Sequence, residues 1–189
     1  MVTGLLFAGQ ACSDKYTGIK YKDLDCQAFV ERVLRDSGVR KPDGSIYNWK
    51  GSNSMWRNIP GWKGTIEQCR TEYGEIPLGA WVFIVKYDGG EKEKGYNDDQ
   101  GNAKHVGIYC NNGSEPVRDS TRGTGRDGVG YRTLKSFTHV LLPSFLLYSE
   151  SVERPKPIED YAHTLRDPNS TDAEWIDALI QLVLILKGV

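Results

Sequence analysis

Cys26, His105 and Asp119 are the residues of this 189-residue chain whose types could together do covalent chemistry. A thiolate is a nucleophile, an imidazole can hold and shuttle its proton, and a carboxylate can orient the imidazole. Cys26 stands in Leu24-Asp25-Cys26-Gln27-Ala28-Phe29-Val30, with Val33 and Leu34 beyond. Those apolar positions recur at helical spacing. Asp25 is a good N-cap and Gly38 a good terminator, so the pattern predicts a helix over 25–38 with the cysteine at its mouth. A thiol there meets unpaired backbone N–H groups and the positive end of the helix dipole, both of which favour a thiolate. The competing reading is a small buried cysteine on an apolar helix face. Only its neighbours in space can separate the two.

Those neighbours must come from elements further along. Ala80-Trp81-Val82-Phe83-Ile84-Val85 is a nearly continuous apolar run and reads as a strand buried on both faces. His105 opens the next strand, His105 to Cys110, and Asn111-Asn112-Gly113 is a hairpin turn signal. The returning strand, Glu115 to Ser120, carries Asp119 beside His105. Thr65-Ile66-Glu67-Gln68 has the form of a capping box, predicting a helix to Tyr73 that Gly74 ends. Residues 2–12 read as a short helix or an irregular segment. Residues 40–64, with Trp49, Trp56 and Trp62, read as a long loop whose aromatics cover the core or wall a groove. Residues 87–103 read as a polar excursion, and Gly123, Gly125, Gly128 and Gly130 as a second loop. Thr138 to Leu142 and Phe145 to Tyr148 read as strands, or as one strand interrupted by Pro143.

After a charged, proline-bearing linker from Ser149 to Pro157, Thr171-Asp172-Ala173-Glu174 starts a helix to about Lys187 that is apolar on nearly all sides. It is shorter than the ~20 apolar residues a membrane span needs. It predicts docking or a homo-oligomer through this helix. The expected domains are therefore 1–149 and a linker with a C-terminal helical segment over 150–189.

Composition narrows the function. A formal charge of −1 gives no basic surface for nucleic acid. The four cysteines, Cys12, Cys26, Cys69 and Cys110, have no CxxC spacing, so no metal site or cofactor is expected and free thiols are the default. Cys12, Cys69 and Cys110 read as packing residues, and His139 and His163 as structural histidines. The first twelve residues lack the basic start and long apolar run of a signal peptide.

Three words, Asp25-Cys26-Gln27-Ala28-Phe29-Val30-Glu31, Ile76-Pro77-Leu78-Gly79-Ala80-Trp81-Val82-Phe83 and His105-Val106-Gly107-Ile108-Tyr109, occur in this order. Together they resemble the NlpC-type family of papain-like cysteine peptidases, over roughly Tyr21 to Tyr148. Gly51-Ser52-Asn53-Ser54-Met55-Trp56-Arg57-Asn58, Gly64-Thr65-Ile66-Glu67 and Asp88-Gly89-Gly90 resemble its phage and prophage branch. The resemblance implies an α+β papain-like fold, helices on a central antiparallel sheet, with Cys26 as nucleophile and His105 as base. The family's third residue is commonly a histidine. Here Val117-Arg118-Asp119-Ser120-Thr121 takes that place, putting Asp119 there, or Arg118 if the alignment slips by one. A guanidinium only donates and cannot accept the imidazole N–H, so chemistry favours Asp119. The family's tyrosine near the oxyanion site implies Tyr21, with Tyr16 second. Ala28 and Ala80 replace the family's Gly and Asp.

The implied activity is an endopeptidase on bacterial peptidoglycan stem peptides, cutting beside D-glutamyl next to diaminopimelate or lysine. The alternatives are a CHAP-like amidase on the same fold, which frees whole stem peptides, and a catalytically silent wall-binding or phage-tail module.

Overall fold

The computed structural model describes residues 2–87, 100–123, 125–148, 171, 175–176 and 178–180. The chain divides into two compact units, Met1–Glu150 and Ser151–Val189. The first is a mixed α+β unit. A short strand β1 (Val2–Thr3) leads into α1 (Gly4–Ala11), whose N-terminus is capped by the Thr3 hydroxyl accepting from the Leu6 N–H. A 3-10 turn at Asp14–Tyr16 precedes α2 (Cys26–Asp36), followed by α3 (Ser52–Asn58), β2 (Gly61–Thr65) and α4 (Ile66–Tyr73). The rest is strand: β3 (Trp81–Lys86), β4 (Asn102–Tyr109), β5 (Val117–Gly123), β6 (Arg126–Arg132), β7 (His139–Pro143) and β8 (Leu146–Leu147).

Six strands form one antiparallel sheet in the order β2-β7-β3-β4-β5-β6, and β1 pairs with β8 in a separate parallel pair. The sheet separates two apolar clusters, and β3 feeds both because successive side chains point to opposite faces. Trp81, Phe83 and Val85 join Phe29, Val30, Val33 and Leu34 of α2, while Ala80 and Val82 join Cys69 of α4, Val117 and Val140. Burying each large side chain of the α2 stripe contributes roughly 1.5–3 kcal/mol. That stripe fixes the roll of α2, and hence where Cys26 sits.

Several sequence expectations change here. Residues 40–64 are not one long loop: α3 and β2 lie within it. Its tryptophans pack. Trp56 is buried against Phe83 and His139, Trp49 meets the edge of Trp81, and Trp62 meets the edge of Tyr73 and donates to Glu72 at 2.7 Å. The glycines after Gly123 mark a hairpin strand, because small residues are needed where other chain segments lie on β6. A Cβ on Gly128 would stand 2.0 Å from the Ile19 carbonyl oxygen. Residues beyond Pro143 do not continue β7 but pair with β1. Finally, Cys12 and Cys110 are not free thiols. They form a disulfide, since the end of α1 and the end of β4 come within 6.7 Å at Cα despite a sequence separation of 98.

The Glu91 to Lys94 charge run, the 149–157 linker and His163 lie outside the described residues. So does most of the predicted C-terminal helix. Its described residues, 175–176 and 178–180, are helical. Among the described residues no helix is long and apolar enough to cross a membrane.

Candidate active site

Cys26 is the first residue of α2, as its spacing predicts. The Asp25 carboxylate caps the helix by accepting the Ala28 N–H at 2.8 Å. The approach to the helix is held from below by β5 and β6. Ser120, buried on β5, donates to the Leu24 carbonyl, and the Val129 N–H donates to the Ile19 carbonyl at 3.1 Å. On the far side of Cys26, Gln27 and Glu31, one turn apart, grip the loop before α3. The Gln27 amide donates to the Trp49 carbonyl at 2.5 Å and accepts from the Gly51 N–H, while Glu31 accepts from the Trp49 N–H at 2.6 Å. Cys26 is thus fixed from both sides, buried but for 7% of its surface, and unbridged.

His105 sits near the start of β4, next to an irregularity. His105 pairs with Ile84 but Ala103 pairs with Val85, leaving Lys104 as an extra residue. A bulge of this kind re-aims its neighbours. Nε2 of the imidazole lies 2.6 Å from Oδ2 of Asp119. Cys26 is close enough for its thiol and its charge to act on the ring. The ring also leans on Phe137, centroids 5.9 Å apart.

Burial works against a charged imidazole. The hydrogen bonds from Asp119 and Cys26, with the negative charge each can carry, outweigh it and raise the His105 pKa from 6.5 to about 9. At neutral pH His105 therefore holds its proton.

Asp119 has no exposed surface. Strand alternation decides between it and Arg118. Asp119 pairs across the sheet with Gly107 on one side and Gly130 on the other, whereas Arg118 points to the opposite face. There Arg118 donates to the Thr17 hydroxyl at 2.9 Å and lies over the Tyr131 ring. Two arginines flank Asp119: Arg126 bonds Oδ1, and Arg132 stands 3.5 Å from Oδ2. Sequence reasoning missed both. A hairpin reading of 117–132 would have found them, since Arg126, Gly130 and Arg132 share a parity on β6 with the partner of Asp119.

Tyr21 lies in the turn before Cys26, close enough for the cysteine's charge to act on it; burial first, then the charges of Cys26 and Asp25, raise its pKa. Tyr16 is elsewhere. It is buried at the other end of α2, donates to Asp36 at 2.9 Å, and is pushed up to about 12, chiefly by burial.

His139 is a packed histidine. It is hydrogen-bonded to the Tyr87 hydroxyl (3.0 Å) and the Thr138 hydroxyl (2.9 Å), and burial lowers its pKa. Cys69 is buried and its thiol pushed up to about 11, chiefly by burial, so it is a poor nucleophile. Among the described residues no His, Cys, Asp and Glu gather as they would around a metal. A groove of about 880 Å³ lies between α4 and residues 134–138, and Phe137, the ring beside His105, is part of its lining.

The arrangement places a thiol at a helix mouth, a protonated imidazole within its electrostatic reach, and a buried carboxylate fixing that imidazole. That is the equipment of a thiol acyl-transfer centre. No protein-family model, curated protein or solved structure matches the chain.

Proposed function

We propose that the chain is an NlpC-type, papain-like cysteine endopeptidase acting on peptidoglycan stem peptides. The observation that carries this reading is the 2.6 Å contact of His105 Nε2 with the buried Asp119, on an imidazole that Cys26 is close enough to act on. The motif words around Cys26 and His105 supply the substrate class. The 150–189 segment is an appendage to this peptidase.

In the proposed reaction Cys26 Sγ attacks the carbonyl carbon of a D-glutamyl bond to diaminopimelate or lysine, its proton residing on His105. The tetrahedral oxyanion is met by the Cys26 backbone N–H at the open mouth of α2, since Asp25 occupies only the Ala28 N–H. Tyr21, beside Cys26, is the side chain nearest to assist. His105 then gives its proton to the leaving amine, and a thioester remains on Cys26. Water attacks the thioester as His105 takes a proton from it, freeing the γ-carboxylate and the thiol. Asp119 keeps the imidazole oriented throughout and stabilises its charged form.

The test is digestion of purified peptidoglycan of the diaminopimelate and lysine chemotypes, with products identified by mass spectrometry. New free amines on diaminopimelate or lysine are expected, and Cys26→Ala should abolish them. Intact stem peptides released from the glycan would make the enzyme an amidase. An unchanged digest from Cys26→Ala would remove Cys26 from the mechanism.

A further inference from the structure

Asp119 must orient His105 from a site with no water, where a bare carboxylate is expensive. Its own rotamer therefore needs fixing. Its two oxygens have different partners. Oδ2 faces His105, with Arg132 3.5 Å away, and Oδ1 is taken by a guanidinium N–H of Arg126, which also approaches the Asp119 carbonyl at 3.4 Å. The other arm of Arg126 bonds the Tyr131 carbonyl. One planar fork thus spans β5 and its own strand.

The sheet makes room for this fork. Residue 130, cross-strand from Asp119, is glycine, and a Cβ there would stand 2.6 Å from the Arg126 guanidinium. On the other side a Cβ on Gly107 would meet Val117 Cγ1 at 2.6 Å and the Asp119 Cβ at 3.1 Å, so β5 packs closely on β4 there.

We propose that Arg126 is a positioning residue of the catalytic centre: by holding Oδ1 it aims Oδ2 of Asp119 at His105. The role rests on the Cys26–His105–Asp119 reading above but not on the substrate. The charged groups that act on His105 are Cys26 from α2 and Asp119 from β5. Arg126 and Arg132 from β6 act through Asp119, and Tyr21 and Asp25 act through Cys26.

A plain hairpin staple would make the same contacts, so the test must read His105 itself. The sequence has only three histidines, so ring Cε1–H NMR signals of the full chain can be followed against pH, with His105→Asn assigning the resonance. The wild-type midpoint should lie at about 9. In Arg126→Gln, Asp119 loses its aim and the midpoint should fall by about one pH unit or more toward 6.5. Arg126→Lys keeps a charge but not the fork, so it should fall less and in the same direction. If Arg126→Gln does not fold, the lysine variant decides by itself.

A midpoint unmoved in the folded variants, with only the melting temperature lowered, would reduce Arg126 to a staple. A rise in Arg126→Gln would mean that the guanidinium acts on His105 only as a repelling charge. Either outcome overturns the proposal. A wild-type midpoint near 6.5 would instead strike the His105–Asp119 contact, and the proposed mechanism with it. A failed peptidoglycan digest leaves these midpoints to decide the role of Arg126 alone.

Discussion

At the scale of residues, the choice of an aspartate as third member has a consequence in pH. A neutral partner would orient His105 without charging it. Asp119 does both, and with Cys26 it overcomes the burial that favours neutral imidazole, which is why the pKa stands at about 9. A raised pKa means the proton stays on to higher pH. The basic limb of kcat/KM, set by loss of that proton, should therefore lie near 9. Asp119→Asn keeps the shape but removes the charge. Its basic limb should move down toward 6.5, and kcat/KM at pH 7 should fall by ~10²–10⁴. A pH–rate series on both proteins checks this, and an unmoved limb would sink the role given to Asp119. The mutation also strips two guanidinia of their anion, so the position of the limb is the diagnostic and its height is not. By linkage, a pKa raised on folding adds stability that is fully present below 6.5 and lost as pH rises through 9. The helix mouth at Cys26 and the strand start near His105 were readable from local words, because both are local features. The arginines around Asp119 were not, because four glycines in a row of eight residues look like a loop until the register with β5 is known.

At the scale of elements, α2 places Cys26 and the β5–β6 hairpin positions the chain that enters α2. The helix was legible end to end: its apolar stripe, its Asp25 cap and Gly38 at positive φ all agree. The cradle was not, since it depends on β6 meeting a segment more than 100 residues earlier in the chain, through Val129 and Ile19. Gly128 is where that meeting is tightest. Its φ is +122° and a Cβ would collide with Ile19 backbone, whereas Gly125, at φ +81°, has open space around it. Gly125→Ala should cost about 1 kcal/mol, the ordinary penalty for a side chain in that region. Gly128→Ala adds a backbone clash and should cost about 2 kcal/mol or more beyond that. Urea unfolding of the two variants measures the difference. The same push reaches Tyr21 and Cys26, so alkylation of Cys26 by iodoacetamide should slow in Gly128→Ala and not in Gly125→Ala. Equal behaviour of the two would mean that β6 does not support the nucleophile's approach.

At the scale of the whole first unit, the sheet is clamped between α1–α3 and α4, and one covalent bond crosses it from α1 to β4. Apolar periodicity could announce the layers, but no spacing announces the partner of Cys12. Pairing across 98 residues is a product of the finished topology. Disulfides persist where thiols oxidise, whereas the proposed mechanism needs Cys26 to stay reduced. The two demands are met by burial and by partners. Cys26 is buried with His105 close enough to act on it, and the bridged pair sits at the partly exposed ends of α1 and β4. Closing a loop of this length is worth ~4–5 kcal/mol in chain entropy. α1 also buries Phe7 and Ala11 in the main core, so the end of β4 stays docked without the bond. Reductant should therefore lower the melting temperature without abolishing cooperative unfolding, and Cys12→Ser should melt at the reduced wild type's temperature with or without reductant. Calorimetry of the four samples decides it. A Cys12→Ser protein that melts with the oxidised wild type would show that the cross-link adds no stability, and that packing of α1 alone holds this end of the catalytic strand.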